Sequence, residues 1–171
     1  ATFQGTDALD VFGTAVGMGD IDGDGLLDFV FGAPKNSLGG SKSGATYLFS
    51  DAASWTGNVT GSSADHIITG SATDQQLGTA LALGDFNSDG EGDFAVSAPN
   101  AGVATPSGGA VFIYTEMPAA TGSTVADADQ VIGGSQPGAG TGTALAALED
   151  FDGDGYGEVA IGTTQGSTGN S

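Results

Sequence analysis

The chain contains no cysteine, no arginine, two lysines and a single histidine among its 171 residues. Without cysteine there is neither a disulfide framework nor a thiolate metal site. This leaves the compartment open, because many secreted proteins manage without disulfides. With Lys35 and Lys42 as the only strong bases, the formal charge is −19 at pH 7. Such a surface repels nucleic acid and anionic membranes. No apolar run approaches the roughly 18 residues of a membrane span, and no basic, apolar leader opens the chain, so membrane insertion is not expected. Beginning at Ala1, the sequence reads as a processed product or a fragment. The lone histidine, His66, sits at an expected strand start and is read as a strand residue. With no other histidine available, no catalytic residue is assigned.

What is present is acid and glycine: 21 Asp and Glu, and 32 Gly. More than half of the acids fall in three short loops. The first is "GDIDGDGLLD", residues 19–28, where like charges crowd together at a cost unless something positive sits among them. At 39% apolar residues there is enough hydrophobic material for a core,.

An internal repeat organises the rest. "FGTAVGMGDIDGDGLLDFVFGAP" at 12–34 returns as "LGTALALGDFNSDGEGDFAVSAP" at 77–99 and as "TGTALAALEDFDGDGYGEVAIGTT" at 141–164. "GATYLF" at 44–49 returns as "GAVFIY" at 109–114, and "TFQGT" at 2–6 as "IITGS" at 67–71 and "VIGGS" at 131–135. Asp20, Asp85 and Asp150 follow one another at 65-residue intervals. The repeats divide the chain into 1–65, 66–130 and a truncated 131–171, which lacks the "GATYLF" element.

Between Gly and Pro punctuation the segments are short and rich in Val, Ile, Phe and Tyr, which reads as strand and not helix. The expected order is a strand at 2–5, a strand at 13–19, an acidic hairpin, a strand at 28–33, a Gly/Ser loop, a strand at 44–49 and a polar linker. About four strands per unit matches a propeller blade. "TAVGMG" and "TALALG" carry small side chains, as needed where blades converge on an axis. "DFVFGA" and "DFAVSA" are apolar on successive residues, as in a strand covered on both faces. The fold class is therefore all-β: four-stranded antiparallel β-propeller blades, about 2.5–3 of them, in an open or partial propeller. A β-solenoid would need shorter coils.

The acidic loops have the pattern a hard cation requires. Ca²⁺ takes six to eight oxygens, and a short loop supplies them from alternate residues plus a backbone carbonyl. In the first loop Asp20, Asp22, Asp24 and Asp28 stand at positions 1, 3, 5 and 9, with the carbonyl of Leu26 at position 7. The second offers Asp85, Asn87, Asp89 and Asp93 with Glu91 at position 7. The third offers Asp150, Asp152, Asp154 and Glu158 with Tyr156 there. An EF-hand needs Glu at position 12 and flanking helices; Phe31, Val96 and Ile161 stand there instead. Asp and Gly also populate plain turns, but recurrence in three copies favours metal, and three Ca²⁺ sites are expected. Mg²⁺ fits less well because it keeps several waters.

These hairpins, together with Phe12-Gly13 and Gly32-Ala33-Pro34, resemble the FG-GAP repeat of integrin α-subunit β-propellers and their bacterial relatives. The resemblance spans essentially the whole chain and weakens toward the third copy, where Thr163-Thr164 replaces Ala-Pro. It implies calcium on one face of a seven-bladed propeller and partners on the other, here loops 34–43 and 99–108 with 6–12, 71–77 and 135–141. It implies a non-enzymatic, extracellular, secreted or cell-surface module that binds a protein or glycan. With fewer than seven blades, either further blades of a longer chain or association of copies, as ring or fibre, is expected. The alternatives are a self-assembling filament subunit, or the propeller module of a secreted hydrolase, lyase or phospholipase built on acids such as Asp7, Asp74 and Asp127. Asn58-Val59-Thr60 has the form of a glycan acceptor, and Trp55 is expected to pack against a blade edge.

Overall fold

The computed structural model describes residues 1–51, 53–118 and 122–164. Thirteen strands follow in chain order: β1 (Thr2–Gln4), β2 (Val16–Gly19), β3 (Asp28–Ala33), β4 (Ala45–Phe49), β5 (Asn58–Thr60), β6 (His66–Thr69), β7 (Leu81–Gly84), β8 (Asp93–Ala98), β9 (Ala110–Tyr114), β10 (Ser123–Thr124), β11 (Gln130–Gly133), β12 (Ala144–Leu148) and β13 (Glu158–Gly162). Two single turns of 3-10 helix, Gly61–Ser63 and Val125–Asp127, are the only helical elements among the described residues.

The strands form successive antiparallel blades. The first runs β2-β3-β4-β6, with β10 added in parallel beyond β6. The second runs β7-β8-β9-β11, and the hairpin β12-β13 begins a third. The protein is an all-β, open, partial propeller. Because β6 pairs with β4, the outermost strand of the first blade comes from residues that open the second 65-residue repeat. Strand β1, read from sequence as the first strand of its unit, joins none of the three blades and pairs in parallel with β5.

The strand expected over 13–19 is regular only from Val16. Gly13 adopts φ +83°, and the amides of Gly13 and Thr14 both donate to the carbonyl of Gly32, at 2.9 and 3.3 Å. Two residues thus face one, which is a bulge. Gly78 and Thr79 repeat it against Ser97. The glycine of the "FGT" and "LGT" motifs supplies this left-handed conformation, which a Cβ would strain.

Side-chain alternation along each strand sorts residues onto the two blade faces. Val30, Leu48 and Ile68 of the first blade mesh with Phe94, Val96, Phe112 and Tyr114 of the second. The Phe94 and Tyr114 rings stack with centroids 4.9 Å apart. The opposite face of the second blade, with Ala82, Ala95, Val111 and Ile113, receives Leu145, Ala147, Val159 and Ile161 of the third hairpin. The remaining face of the first blade carries Phe31, Tyr47 and Phe49, covered by Phe3, Phe12 and Trp55 from the segments around it. Trp55 packs edge-on to Phe49 and donates its indole N–H to the Ser50 carbonyl at 2.7 Å. Each fully buried large side chain contributes roughly 1.5–3 kcal/mol, so the double-sided blades carry most of the stabilisation.

Candidate metal centres on the acidic hairpins

All three acidic loops connect the first two strands of a blade and share one conformation, held by their own backbone. The amide at position 6 donates to the carboxylate at position 1: Gly25 to Asp20 at 3.0 Å, Gly90 to Asp85 at 3.0 Å and Gly155 to Asp150 at 3.1 Å. The amide at position 7 donates to position 5: Leu26 to Asp24 at 2.8 Å, Glu91 to Asp89 at 2.8 Å and Tyr156 to Asp154 at 3.0 Å. The amide at position 2 donates to position 9: Ile21 to Asp28 at 2.8 Å, Phe86 to Asp93 at 2.5 Å and Phe151 to Glu158 at 2.6 Å. The extra methylene of Glu158 leaves this bond intact. Short Asx-type bonds of this kind turn the chain tightly enough to gather its acids.

In the third loop Asp150, Asp152, Asp154 and Glu158 each place a carboxylate oxygen within 4.8 Å of the others, and in the first Asp20, Asp22 and Asp28 do so. Asp24 stands outside that first set. In the second loop the Asn87 side-chain amide donates to Asp89 at 2.7 Å, and its acids do not converge to the same distance among the described residues.

Burial makes the charge expensive. Asp28 and Asp93 are fully buried. The buried oxygens Asp20 Oδ1, Asp85 Oδ1 and Asp93 Oδ1 have no hydrogen-bond partner. A buried, unpaired carboxylate oxygen costs free energy unless a cation or donor meets it. The donor set therefore fits a hard, oxygen-seeking cation: charged acceptors with free lone pairs, no competing base, and a backbone carbonyl at position 7. Burial pushes the Asp93 carboxyl up to about 6; amide bonds from Phe86 and Asn87 work against this, and Asp89 and Asp85 add to it. Burial, with Asp28 close by, also raises Asp22.

One acid escaped the sequence reading. The amide of Asp51 donates to Asp28 at 3.0 Å. The Asp51 carboxyl is raised by desolvation and then by Asp24, with which it shares a hydrogen bond. Its signal was present: Asp51 follows "GATYLF" as Glu116 follows "GAVFIY". A second neighbour is Glu91, whose carboxylate lies over the first loop, 2.9 Å from where a Cβ on Gly23 would stand.

The other candidates are scattered. Asp7, Asp74 and Asp127 cap local turns, accepting from Leu9, Gln76 and Thr124. A cavity at the second blade's outer edge is lined by Asp127 with Tyr114, Glu116 and Asp129, but by neither Asp7 nor Asp74. His66 lies opposite Leu48 in the sheet, its buried Nδ1 without a partner. Asn58 is exposed on β5. The loops 34–43 and 99–108 lie at the blade end opposite the acidic hairpins. They bond to their neighbours through Lys35 to Asp10, Asp74 to Ser41 and Gly138 to Pro106. Among the described residues no helix is long and apolar enough to cross a membrane.

Stacked blades, each turning on an acidic hairpin between its first two strands, define a repeat-built propeller module. The chain belongs to the FG-GAP repeat family, whose sequence model matches residues 12–49, 77–114 and 141–171. Among curated proteins it is 34% identical over 166 residues to integrin alpha-PS2 of Drosophila melanogaster, covering 88% of this chain and 11% of that protein. It is 31% identical over 170 residues to integrin alpha-5 of Xenopus laevis, covering 94% and 15%. It is 32% identical over 167 residues to integrin alpha-IIb of Mus musculus, covering 93% and 15%. The chain thus spans only a small part of the length of these relatives.

Proposed function

We propose that this chain is a calcium-stabilised propeller segment of a secreted or cell-surface protein, acting in adhesion by binding a protein or glycan, and not an enzyme. The observation that carries the calcium reading is the set of buried, unpartnered carboxylate oxygens at Asp20, Asp85 and Asp93. In this reading Asp20, Asp22, Asp24 and Asp28 with the Leu26 carbonyl hold one ion. Asp85, Asn87, Asp89 and Asp93 with Glu91 hold the second; Asp150, Asp152, Asp154 and Glu158 with Tyr156 hold the third. Bound calcium would supply positive charge to acids that otherwise repel one another. The adhesive role is supported by the integrin alpha relatives, with the loops 34–43 and 99–108 as the partner-facing surface. Asn58, exposed on β5, is a candidate glycan acceptor.

Extracellular modules bind Ca²⁺ with Kd of about 10⁻⁴–10⁻³ M. At ten times Kd each site adds about 1.4 kcal/mol, and three add on the order of 4 kcal/mol. Melting in millimolar calcium is expected to occur many degrees above melting in excess chelator; superimposable curves would end the calcium reading.

A filament subunit is the second reading, favoured by one observation: the outer face of β12-β13 is bare, with Ala144, Ala146, Leu148 and Ala160 exposed. Further blades of a longer chain would cover that face equally well. Negative-stain imaging of the purified chain with calcium separates the two.

A further inference from the structure

Two backbone hydrogen bonds tie the acidic hairpins into a series. The amide of Gly92 in the second hairpin donates to the carbonyl of Asp20 in the first at 2.8 Å, and Gly157 in the third donates to Asp85 in the second at 3.0 Å. The Ser88 hydroxyl adds a bond to the Gly155 carbonyl. The approach leaves no room for a side chain: a Cβ on Gly92 would lie 2.3 Å from the Asp20 carbonyl oxygen, and one on Gly157 2.5 Å from that of Asp85.

The chemistry lies in which peptide unit makes the contact. The Gly92 N–H and the Glu91 C=O belong to a single peptide, as do the Gly157 N–H and the Tyr156 C=O. A trans peptide is planar, with its N–H and C=O pointing in opposite directions. Fixing the N–H on the preceding hairpin therefore fixes the direction of the carbonyl at position 7, the backbone oxygen assigned above as a ligand. A cation drawing on that carbonyl also makes its own N–H a stronger donor, and that donor ends on the peptide of the position-1 acid one hairpin earlier. In the first hairpin the corresponding peptide joins Leu26 and Leu27, both exposed, and no hydrogen bond from another hairpin reaches it among the described residues.

We propose that the second and third hairpins have their carbonyl ligand aimed by the hairpin before them, with Gly92 and Gly157 as positioning residues, so that the sites load as a coupled series. This rests on the calcium reading. The unpaired oxygen of fully buried Asp93, directly after Gly92, is the independent sign that the second hairpin awaits a cation.

The test is a calcium titration of the whole chain followed by amide NMR, with Gly25, Gly90 and Gly155 each reporting its own hairpin. Asp89→Ala removes an exposed carboxylate from the second site and leaves Gly157 untouched. It is expected to raise the Gly155 midpoint about fivefold or more, in the usual range of site-to-site coupling. Gly157→Ala should raise the Gly155 midpoint by a similar factor and leave that of Gly25 in place. Leu27→Ala, at the same position of the unlinked first hairpin, should move none of the three. A Gly155 midpoint in Asp89→Ala equal to the parent's overturns the coupling, whether or not Gly157→Ala folds. If no glycine of the parent chain shifts with calcium, the calcium reading itself falls and takes the coupling with it.

Discussion

Asp93 holds opposing demands in one side chain: buried completely, bonded by two amides, and left with one oxygen that nothing meets. An unfolded aspartate titrates near 3.8, whereas burial carries Asp93 to about 6. Between those values the folded protein keeps a proton that the unfolded chain has released, so this contribution to stability is present at low pH and is lost as pH rises through about 6. In chelator the melting temperature is therefore expected to rise when pH falls from 7 to 5. In calcium it is expected to fall, because protons compete with the ion for the same oxygens. Asp93→Asn should flatten the chelator profile, and scanning calorimetry at the two pH values checks all three outcomes. A different residue-scale device sits at the other end of the first blade. Asn36 donates through Nδ2 to Asp10 at 2.8 Å and to the Tyr47 hydroxyl at 2.9 Å, all three being buried. Asn36→Ala strands both partners and should cost about 1–3 kcal/mol in urea unfolding. Burial, with Asp10 beside it, pushes Tyr47 up to about 12, so stability present below pH 10 is lost as pH rises from 10 through about 12. Tyr47→Phe removes that alkaline loss.

At the scale of elements, the paired strands β3 and β4 are buried along nearly all their length, and packing on both faces sets their energetics. Leu48, fully buried between the first two blades, should cost about 2–5 kcal/mol as alanine. Leu9, 79% exposed, should change stability by less than about 0.5 kcal/mol; urea midpoints compare the two. The hairpins were the most legible elements in the sequence, because the D-x-D-x-D-G spacing is itself the hydrogen-bond scheme: each acid bonds an amide a fixed number of residues away. Strands β3, β4, β8 and β9 were readable from their unbroken apolar runs. The pairing of β1 was not, since three residues of alternating polarity carry no information about which distant strand they meet. Asp51 was missed for a related reason: its link to Asp28 spans 23 residues and depends on the turn after β4. The bulge at Gly13 lay in plain sight as a glycine, but only its partner carbonyl at Gly32 shows what it is for.

Across the whole molecule the two blade ends differ in charge, since the few bases gather at one end beside Asp10 and Asp74. Lys35 and Lys42, the only lysines, lie in the loop 34–43, while the acidic hairpins occupy the other end. The outer face of β12-β13 is apolar and open among the described residues, with Leu148 42% exposed, and Phe151 in the adjoining hairpin is 83% exposed; such surfaces drive association. The purified chain is expected to associate in a concentration-dependent way by light scattering, and Leu148→Asp to shift it toward monomer. Unchanged scattering in that variant would assign the contact to another surface.

The strand β6 belongs to one copy of the repeat by sequence and to the previous blade by pairing. Copying and packing therefore run out of phase by one strand. The second and third units each lend an opening strand, β6 and β11, backward to the blade before, so the first two blades are closed only by the copy that follows them, and adding or removing one whole period leaves every such loan matched.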